Sequence, residues 1–279
     1  METSMEDDSD VYQQIPAESG LEHDGEDEIA RFGPNPYALA FSVAMVFTEW
    51  IQMIWISHRL KHVKFYFIFT ILFAIVFVMM TLINRSNPGL MPMDVDLELY
   101  RSEGAPAIAV EVNNTRFIQR WCVTCRIYKS PRVKHCYECG RCIKRFDHHC
   151  QWLSNCIGEH NYKLFMNFWL FYSLTELVSL YYILKSIKMI AIVVGSGGRG
   201  CGLKVFASQY TTLFLITIIA FIRTLFVLYN TLGNAYFISK NITYYEYLTR
   251  QYCGTNPFDA GFINNVKEFW SLPWIELRQ

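Results

Sequence analysis

Apolar positions along this chain come in long blocks, without the three-to-four-residue spacing of a soluble amphipathic helix. Residues 37–57 (YALAFSVAMVFTEWIQMIWIS) form the first block and residues 65–83 (FYFIFTILFAIVFVMMTLI) the second, the latter without any charge. Each approaches the ~20 apolar residues that carry a helix across a hydrocarbon core of about 30 Å. The short polar run 58–64 between them predicts a membrane hairpin. Asn87-Pro88-Gly89 then reads as a turn leaving the bilayer. A polar stretch follows, with strand character at 107–112. A third span rich in Phe, Leu and Tyr begins at residue 163 and reaches 184, and a fourth lies within 209–238. Residues 185–208, containing GSGGRGCG, read as a loop, with 189–194 either prolonging the third helix or dipping into the interface. The fold class predicted is an α-helical integral membrane protein with four transmembrane helices. Its segments are a tail (1–36), the hairpin (37–83), a large loop (84–162), the third and fourth spans with their connection (163–238), and a polar, aromatic C-terminal segment (239–279).

Composition agrees: 52% of the residues are hydrophobic and 18% charged. The formal charge of zero hides an asymmetry. Residues 1–30 hold 11 acidic side chains and no Lys or Arg, leaving 25 basic against 14 acidic elsewhere, a net of +11. Such a start reads as a disordered, solvated acidic tail, with a regulatory or partner-binding role as the alternative. No signal peptide is readable in it. Three ionisable residues fall inside spans, where charge is costly unless paired or functional. Counted from the loop-side helix ends, Glu49, Glu176 and Arg223 lie at a matched depth of roughly 18–21 Å. Either Arg223 pairs with Glu176, Glu49 or both, or each finds its own hydrogen bonds.

The large loop changes the picture from a membrane protein to a membrane protein with chemistry. Residues 121–165 hold seven of the nine cysteines, Cys122 to Cys156, and three histidines sit among them, His135, His148 and His149. Thiolates and imidazoles at such spacings suit tetrahedral zinc. Two closed sites need eight ligands, which six cysteines and two histidines supply. One cysteine and one histidine remain, beside an aspartate, and a nucleophile with its base and orienting acid has that composition. Clustered thiolates require a reducing compartment, which places this loop, and with four spans both termini, in the cytosol. Arg59, Lys61 and Lys64, in the loop on the opposite side, run against positive-inside logic; the redox requirement is the stronger constraint.

Asp147-His148-His149-Cys150, with the Cys/His spacing upstream and Asn155-Cys156 and Asn161-Tyr162 after it, resembles the DHHC cysteine-rich domain of protein S-acyltransferases, or palmitoyltransferases. The resemblance covers residues 121–162 closely and reaches most of 37–270 through flanking motifs. It implies two structural Zn2+ ions, one held by Cys122, Cys125, His135 and Cys142, the other by Cys136, Cys139, His149 and Cys156. It implies Cys150 as the nucleophile that takes a long-chain acyl group from palmitoyl-CoA and passes it to cysteines of membrane-associated proteins on the cytosolic side. His148 would be the base and Asp147 its orienting acid. Endoplasmic reticulum or Golgi membranes are the location implied.

Residues 126–145 carry seven basic side chains against one acid, Glu138. This patch suits coenzyme A phosphates or anionic lipid headgroups equally. Lys129, Arg132 and Lys134, with Trp152, are the acyl-CoA contacts that the family positions suggest. Nucleic acid is not expected, because the patch is short and beside the bilayer. Three positions depart from the pattern: Asn87 for aspartate, Gln151 for proline, and Tyr244 for the second threonine of a Thr-Thr-x-Glu motif that supports the catalytic aspartate. None removes a ligand or reacting group, so an active enzyme is expected, with an altered rate or dependence on an accessory subunit. An inactive, scaffold-like relative is the alternative. Asn265 matches a structural asparagine of the C-terminal motif, expected to pack the tail under the helices.

Overall fold

The computed structural model describes residues 33–59, 63–96, 98–99, 101, 107–195, 203–252, 254–275 and 277. The acidic tail over 1–30 and the glycine-rich run at 196–202 lie outside the described residues. Four long helices follow the apolar blocks: α1 (Pro36–Arg59), α2 (Val63–Arg85), α3 (Tyr162–Gly195) and α4 (Leu203–Lys240). Each packs against the next in chain order, with α1 also touching α3. Three stretches of the described helices are long and apolar enough to cross a membrane, Pro36–His58, Lys64–Arg85 and Leu213–Lys240. Helix α3 is 34 residues long but interrupts its apolar run with Ser173, Thr175, Glu176, Ser179 and Ser186, all buried in the bundle.

The expected loop at 185–208 is mostly helix. Helix α3 continues to Gly195 and α4 already starts at Leu203. Nothing between Lys185 and Val194 breaks a helix, and the first glycine is also where α3 stops. At 1.5 Å per residue α3 is ~50 Å long, more than a hydrocarbon core requires.

The three intramembrane charges meet. Arg223 Nη2 of α4 lies 3.0 Å from Glu49 Oε1 of α1, and its Nε donates to Glu176 Oε1 of α3. Glu49 and Glu176 are 1% and 0% exposed. Thr224 donates to the second Glu176 oxygen at 3.4 Å, and Tyr172 and Ser179 approach Glu49 at 3.5 Å each. One guanidinium therefore ties three helices together.

Between α2 and α3 the chain forms four two-stranded antiparallel hairpins: β1 (Ile108–Val112) with β2 (Thr115–Gln119), β3 (Trp121–Cys122) with β4 (Ile127–Tyr128), β5 (Lys134–Cys136) with β6 (Arg141–Ile143), and β7 (His148–Cys150) with β8 (Asn155–Ile157). Asn113 and Asn114, both at positive φ, close the first of them as a tight two-residue turn. The apolar clusters within this region are tiny, one around Ile127 and Val133 and one around Ile143, and cysteines make up much of each.

The turn after α2 docks this region under the helices. Asn87 Oδ1 accepts from the N–H groups of Gly89 and Leu90 at 2.9 and 2.8 Å, which keeps, without the charge, the turn that an aspartate oxygen would cap. Beyond the turn, Lys144 N donates to Gly89 O and Met91 N to Cys142 O, both at 2.8 Å. Gly158 lets the two backbones meet, since a Cβ there would lie 2.5 Å from Pro88 O. Two short helices finish the chain, α5 (Tyr244–Leu248) and α6 (Phe262–Ser271). Asn265 joins α6 to the end of α4, donating to Ser239 O at 2.8 Å and Asp259 at 2.6 Å and accepting from Ala260 N.

Removing one partner of a buried ion pair leaves an uncompensated charge and costs about 3–5 kcal/mol. Arg223→Ala should lower the unfolding temperature in detergent far more than Arg116→Ala on the exposed face of β2, and equal melting of the two variants would refute the assignment.

Candidate active site

One hairpin feeds both metal-ligand groups. Side chains alternate along a strand, so adjacent His135 and Cys136 of β5 point to opposite faces. His135 pairs with Cys142 across the β5–β6 ladder and joins Cys122 and Cys125 from the turn of the preceding hairpin. Cys136 joins Cys139, His149 and Cys156. In each quartet the four ligand atoms lie within 4.8 Å of one another. His135 Nδ1 is 3.5, 3.4 and 3.7 Å from the sulfurs of Cys122, Cys125 and Cys142. A tetrahedral zinc with ordinary Zn–S and Zn–N bonds has sulfur–nitrogen edges of roughly 3.6 Å. The donor sets therefore fit two zinc ions, each with four protein ligands. Burial, then the neighbouring Cys122, pushes the Cys142 thiol up; Cys136 and Cys139 push Cys156 up, while hydrogen bonds with Cys139 and Cys156 hold Cys136 down.

The same alternation sorts the DHHC run. On β7, His148 and Cys150 share one face while His149 takes the other, opposite Cys156 on β8. The metal quartet thus uses the middle residue and leaves its neighbours free. Asp147, 3% exposed, accepts at Oδ2 from His148 Nδ1 at 2.7 Å. Its other oxygen accepts from Tyr244 N at 2.8 Å, and its carbonyl from Tyr245 N at 3.1 Å. Thr243 and Glu246 form a reciprocal capping box that fixes these backbone groups at the start of α5. Support for Asp147 comes from a main-chain N–H, so tyrosine at 244 leaves it intact. Its ring flanks His148 from one side, at 5.9 Å, and Phe165 from the other, at 5.4 Å. Burial disfavours the His148 imidazolium, but hydrogen bonding and charge from Asp147 and Cys150 outweigh it and raise the group to about 10. The environment of His148 thus favours its protonated ring.

Cys150 borders a cavity of about 790 Å3 between α1, α3 and α4, which reaches Arg223. Its wall includes Phe41, Met45, Phe168, Trp169, Phe226 and Gly233. Trp152 lines it as well, half exposed, its ring 6.1 Å from that of Phe41. Gln151 opens a single 3-10 turn, Gln151–Leu153, directly after Cys150.

The basic residues divide. Arg132 is 8% exposed and cannot serve coenzyme A, because its guanidinium is fully engaged. It grips Glu246 with Nε and Nη2 at 2.8 and 2.9 Å and reaches Asn241 Oδ1 at 3.0 Å. Lys134 and Lys129 remain in reach of solvent, Lys134 over the Tyr245 ring at 5.1 Å. Burial first, then the charges of Lys129 and Arg120, lowers Lys134. Arg120 lies outside the basic run read from the sequence. Lys129 N donates to its carbonyl at 3.0 Å, and a signal for it was the pairing of the strands that begin and end this first cysteine turn. Lys129 and Arg120 are within electrostatic reach of Lys134, as is Glu246, which Arg132 grips.

Asp147, His148 and Cys150 thus bring a carboxylate, an imidazole and a thiol together at the foot of the helical bundle. Residues 115–251 match the family model described as DHHC palmitoyltransferase. Residues 1–70 match a second model, described as an Apicomplexa microprotein. Among curated relatives, "Probable protein S-acyltransferase 6" of Arabidopsis thaliana is 35% identical over 165 residues, 59% of this chain and 39% of the relative. "Probable protein S-acyltransferase 7" of the same plant is 28% identical over 278 residues, 87% and 59% of the two chains. "Palmitoyltransferase ZDHHC5" of Homo sapiens is 31% identical over 162 residues, 55% and 21%. The chain thus spans between about a fifth and three fifths of the length of these relatives.

Alternation on β7 separates the two histidines experimentally. His149→Ala should lose zinc and folded yield together, as should Cys136→Ala, whereas His148→Ala and Cys150→Ser should retain two zincs per chain by elemental analysis. Loss of a zinc from Cys150→Ser would overturn the ligand assignment.

Proposed function

We propose that the protein is a protein S-acyltransferase that carries a long-chain acyl group from palmitoyl-CoA to cysteines of membrane-associated proteins through an acyl-Cys150 intermediate. The observation that carries this is the hydrogen-bonded Asp147–His148 pair beside Cys150, with Cys150 at a largely apolar cavity inside the helix bundle. The four long helices are read as four spans, with the zinc domain, the tail and the C-terminal segment on the cytosolic side of an endoplasmic reticulum or Golgi membrane.

The steps follow from the charges. Cys150 Sγ, as thiolate, attacks the acyl carbon of the thioester; the bond to the coenzyme A sulfur breaks, and the proton of His148 goes to that leaving sulfur. In the second half a cysteine thiol of the protein substrate gives its proton to His148 and attacks the same carbon, releasing Cys150. One thioester replaces another, so no other energy source is needed. Asp147 keeps the ring oriented and stabilises its charged form. The two zinc quartets, Cys122, Cys125, His135 and Cys142, and Cys136, Cys139, His149 and Cys156, have no vacant position and supply folding energy, of order 10 kcal/mol per site. Lys129 and Lys134, joined by Arg120, are the residues for coenzyme A phosphates. The acyl chain occupies the cavity beside Trp152, and the Arg223 cluster closes its deep end and limits chain length.

Incubating the purified protein with labelled palmitoyl-CoA tests this. A hydroxylamine-sensitive adduct should form, disappear in Cys150→Ser, and form 10²–10⁴-fold more slowly in His148→Ala. Fully zinc-loaded wild type that forms no adduct would point instead to a scaffold or to a missing accessory subunit.

A further inference from the structure

The second metal quartet has a support that comes from outside the zinc domain. His149 presents Nδ1 to the sulfurs of Cys136, Cys139 and Cys156, at 3.6, 3.5 and 3.5 Å. A ring that ligates through Nδ1 carries its proton on Nε2, and that proton needs an acceptor. Nδ2 of the Asn35 side-chain amide, 114 residues earlier in the chain, lies 3.0 Å from Nε2. Turning the amide end for end, which exchanges Nδ2 and Oδ1 without moving the side chain, supplies the acceptor required.

The segment that carries Asn35 is held on its own account. Asn35 N donates to Ser154 Oγ at 2.7 Å. Gly33 sits at φ +76°, and a Cβ there would fall 1.8 Å from Ser154 O and 2.7 Å from its Oγ, so only glycine permits this approach. Ser154 is itself fully buried and left-handed, at φ 49°. From the other side Asn84 of α2 donates to Leu153 O at 2.9 Å. The four residues after Cys150 are thus clasped between the chain entering α1 and the end of α2.

We propose that Asn35 is a positioning residue: it accepts the Nε2 proton of His149, fixes the ring in its quartet, and through strand β7 fixes the neighbouring Cys150. This rests on reading the quartet as a zinc site. Asn35 touches no reacting atom, and its effect reaches Cys150 through a metal ligand. It makes the approach to the first helix a part of the zinc domain, although no cysteine or histidine marks it in the sequence.

The test uses the full chain in detergent and follows zinc transfer to excess chromogenic chelator. Asn35→Leu keeps the volume of the side chain and the backbone bond to Ser154 but removes the acceptor. One of the two zincs should then leave about 10–100-fold faster, the other at the wild-type rate, and acyl-Cys150 formation should slow. Asn35→Asp supplies an acceptor to the same proton and should restore both readouts, which a merely space-filling role would not predict. Gly33→Ala, which keeps the amide but drives the segment off Ser154, should reproduce the selective zinc loss and stands in if Asn35→Leu does not fold. Wild-type release from Asn35→Leu or Gly33→Ala, equal acceleration of both zincs, or Asn35→Asp behaving as Asn35→Leu would each overturn the proposal. Wild type without bound zinc would instead refute the zinc reading on which it rests.

Discussion

Interleaving of the two metal-ligand quartets is the constraint on which the rest of the structure depends. The first draws on residues 122, 125, 135 and 142, the second on 136, 139, 149 and 156, and the β5–β6 hairpin belongs to both. The apolar clusters around them are too small to hold four two-stranded hairpins, each of which is marginal alone in water. Because the quartets share a hairpin, neither can shift without the other. The β7–β8 hairpin is the last to be tied in, through His149 and Cys156. The position of Cys150 is therefore inherited from metal ligation one residue away, while alternation keeps its own thiol out of the quartet.

A second layer of order comes from buried polar groups contributed by the C-terminal segment. Arg132 of the zinc domain, Glu246 of α5 and Asn241 after α4 form a bonded unit that also receives Arg145, whose Nη2 meets Asn241 Oδ1 at 2.7 Å. Tyr252 adds its hydroxyl to Glu246 at 2.8 Å. Full satisfaction matters more than number in such a unit, since a buried group left unpaired costs more than a bond contributes. Its consequence is local: Glu246 completes the cap that aims the Tyr244 N–H at Asp147. Arg132, read from the sequence as part of a phosphate-binding face, instead holds the acid of the proposed reaction in place, and acts at two removes from the chemistry.

What was legible in the sequence was whatever has a fixed spacing. Apolar blocks located the helices, the family resemblance implied both quartets, and residue counting brought Glu49, Glu176 and Arg223 to one depth. Other contacts between residues far apart in the chain were not legible. Arg132 meets Glu246 across 114 positions, and nothing in a run of seven basic residues distinguishes the one that turns inward. Asn35 precedes a membrane helix, where a polar residue is unremarked. Two departures from the family pattern keep the local bond: at Tyr244 the backbone carries it, and at Asn87 the amide oxygen accepts in place of a carboxylate. Helix ends were misjudged where polar residues suggested a loop but no glycine or proline stopped the helix before Gly195.

The hairpin region is docked against the long helices by the same requirement that ends every helix. The last carbonyls of α2 lack partners within the helix, and an apolar boundary supplies few donors. Asn155 of β8 answers this directly, its Nδ2 donating to Ile83 O at 2.7 Å and Ser86 O at 2.9 Å, while Asn161 binds Ser86 Oγ and Cys156 O, both at 2.9 Å. Ligand Cys156 lies next to Asn155, so the strand that closes the second quartet also caps the membrane helix. Docking and metal ligation are then one event. It leaves Cys150 at the seam, with the charged partners of a thioester exchange on the domain side and an apolar cavity on the other. An acyl-CoA has the same division, a water-seeking phosphate end and a lipid-seeking chain joined at the reacting carbon, so a molecule lying across that seam would bring its thioester to the thiol.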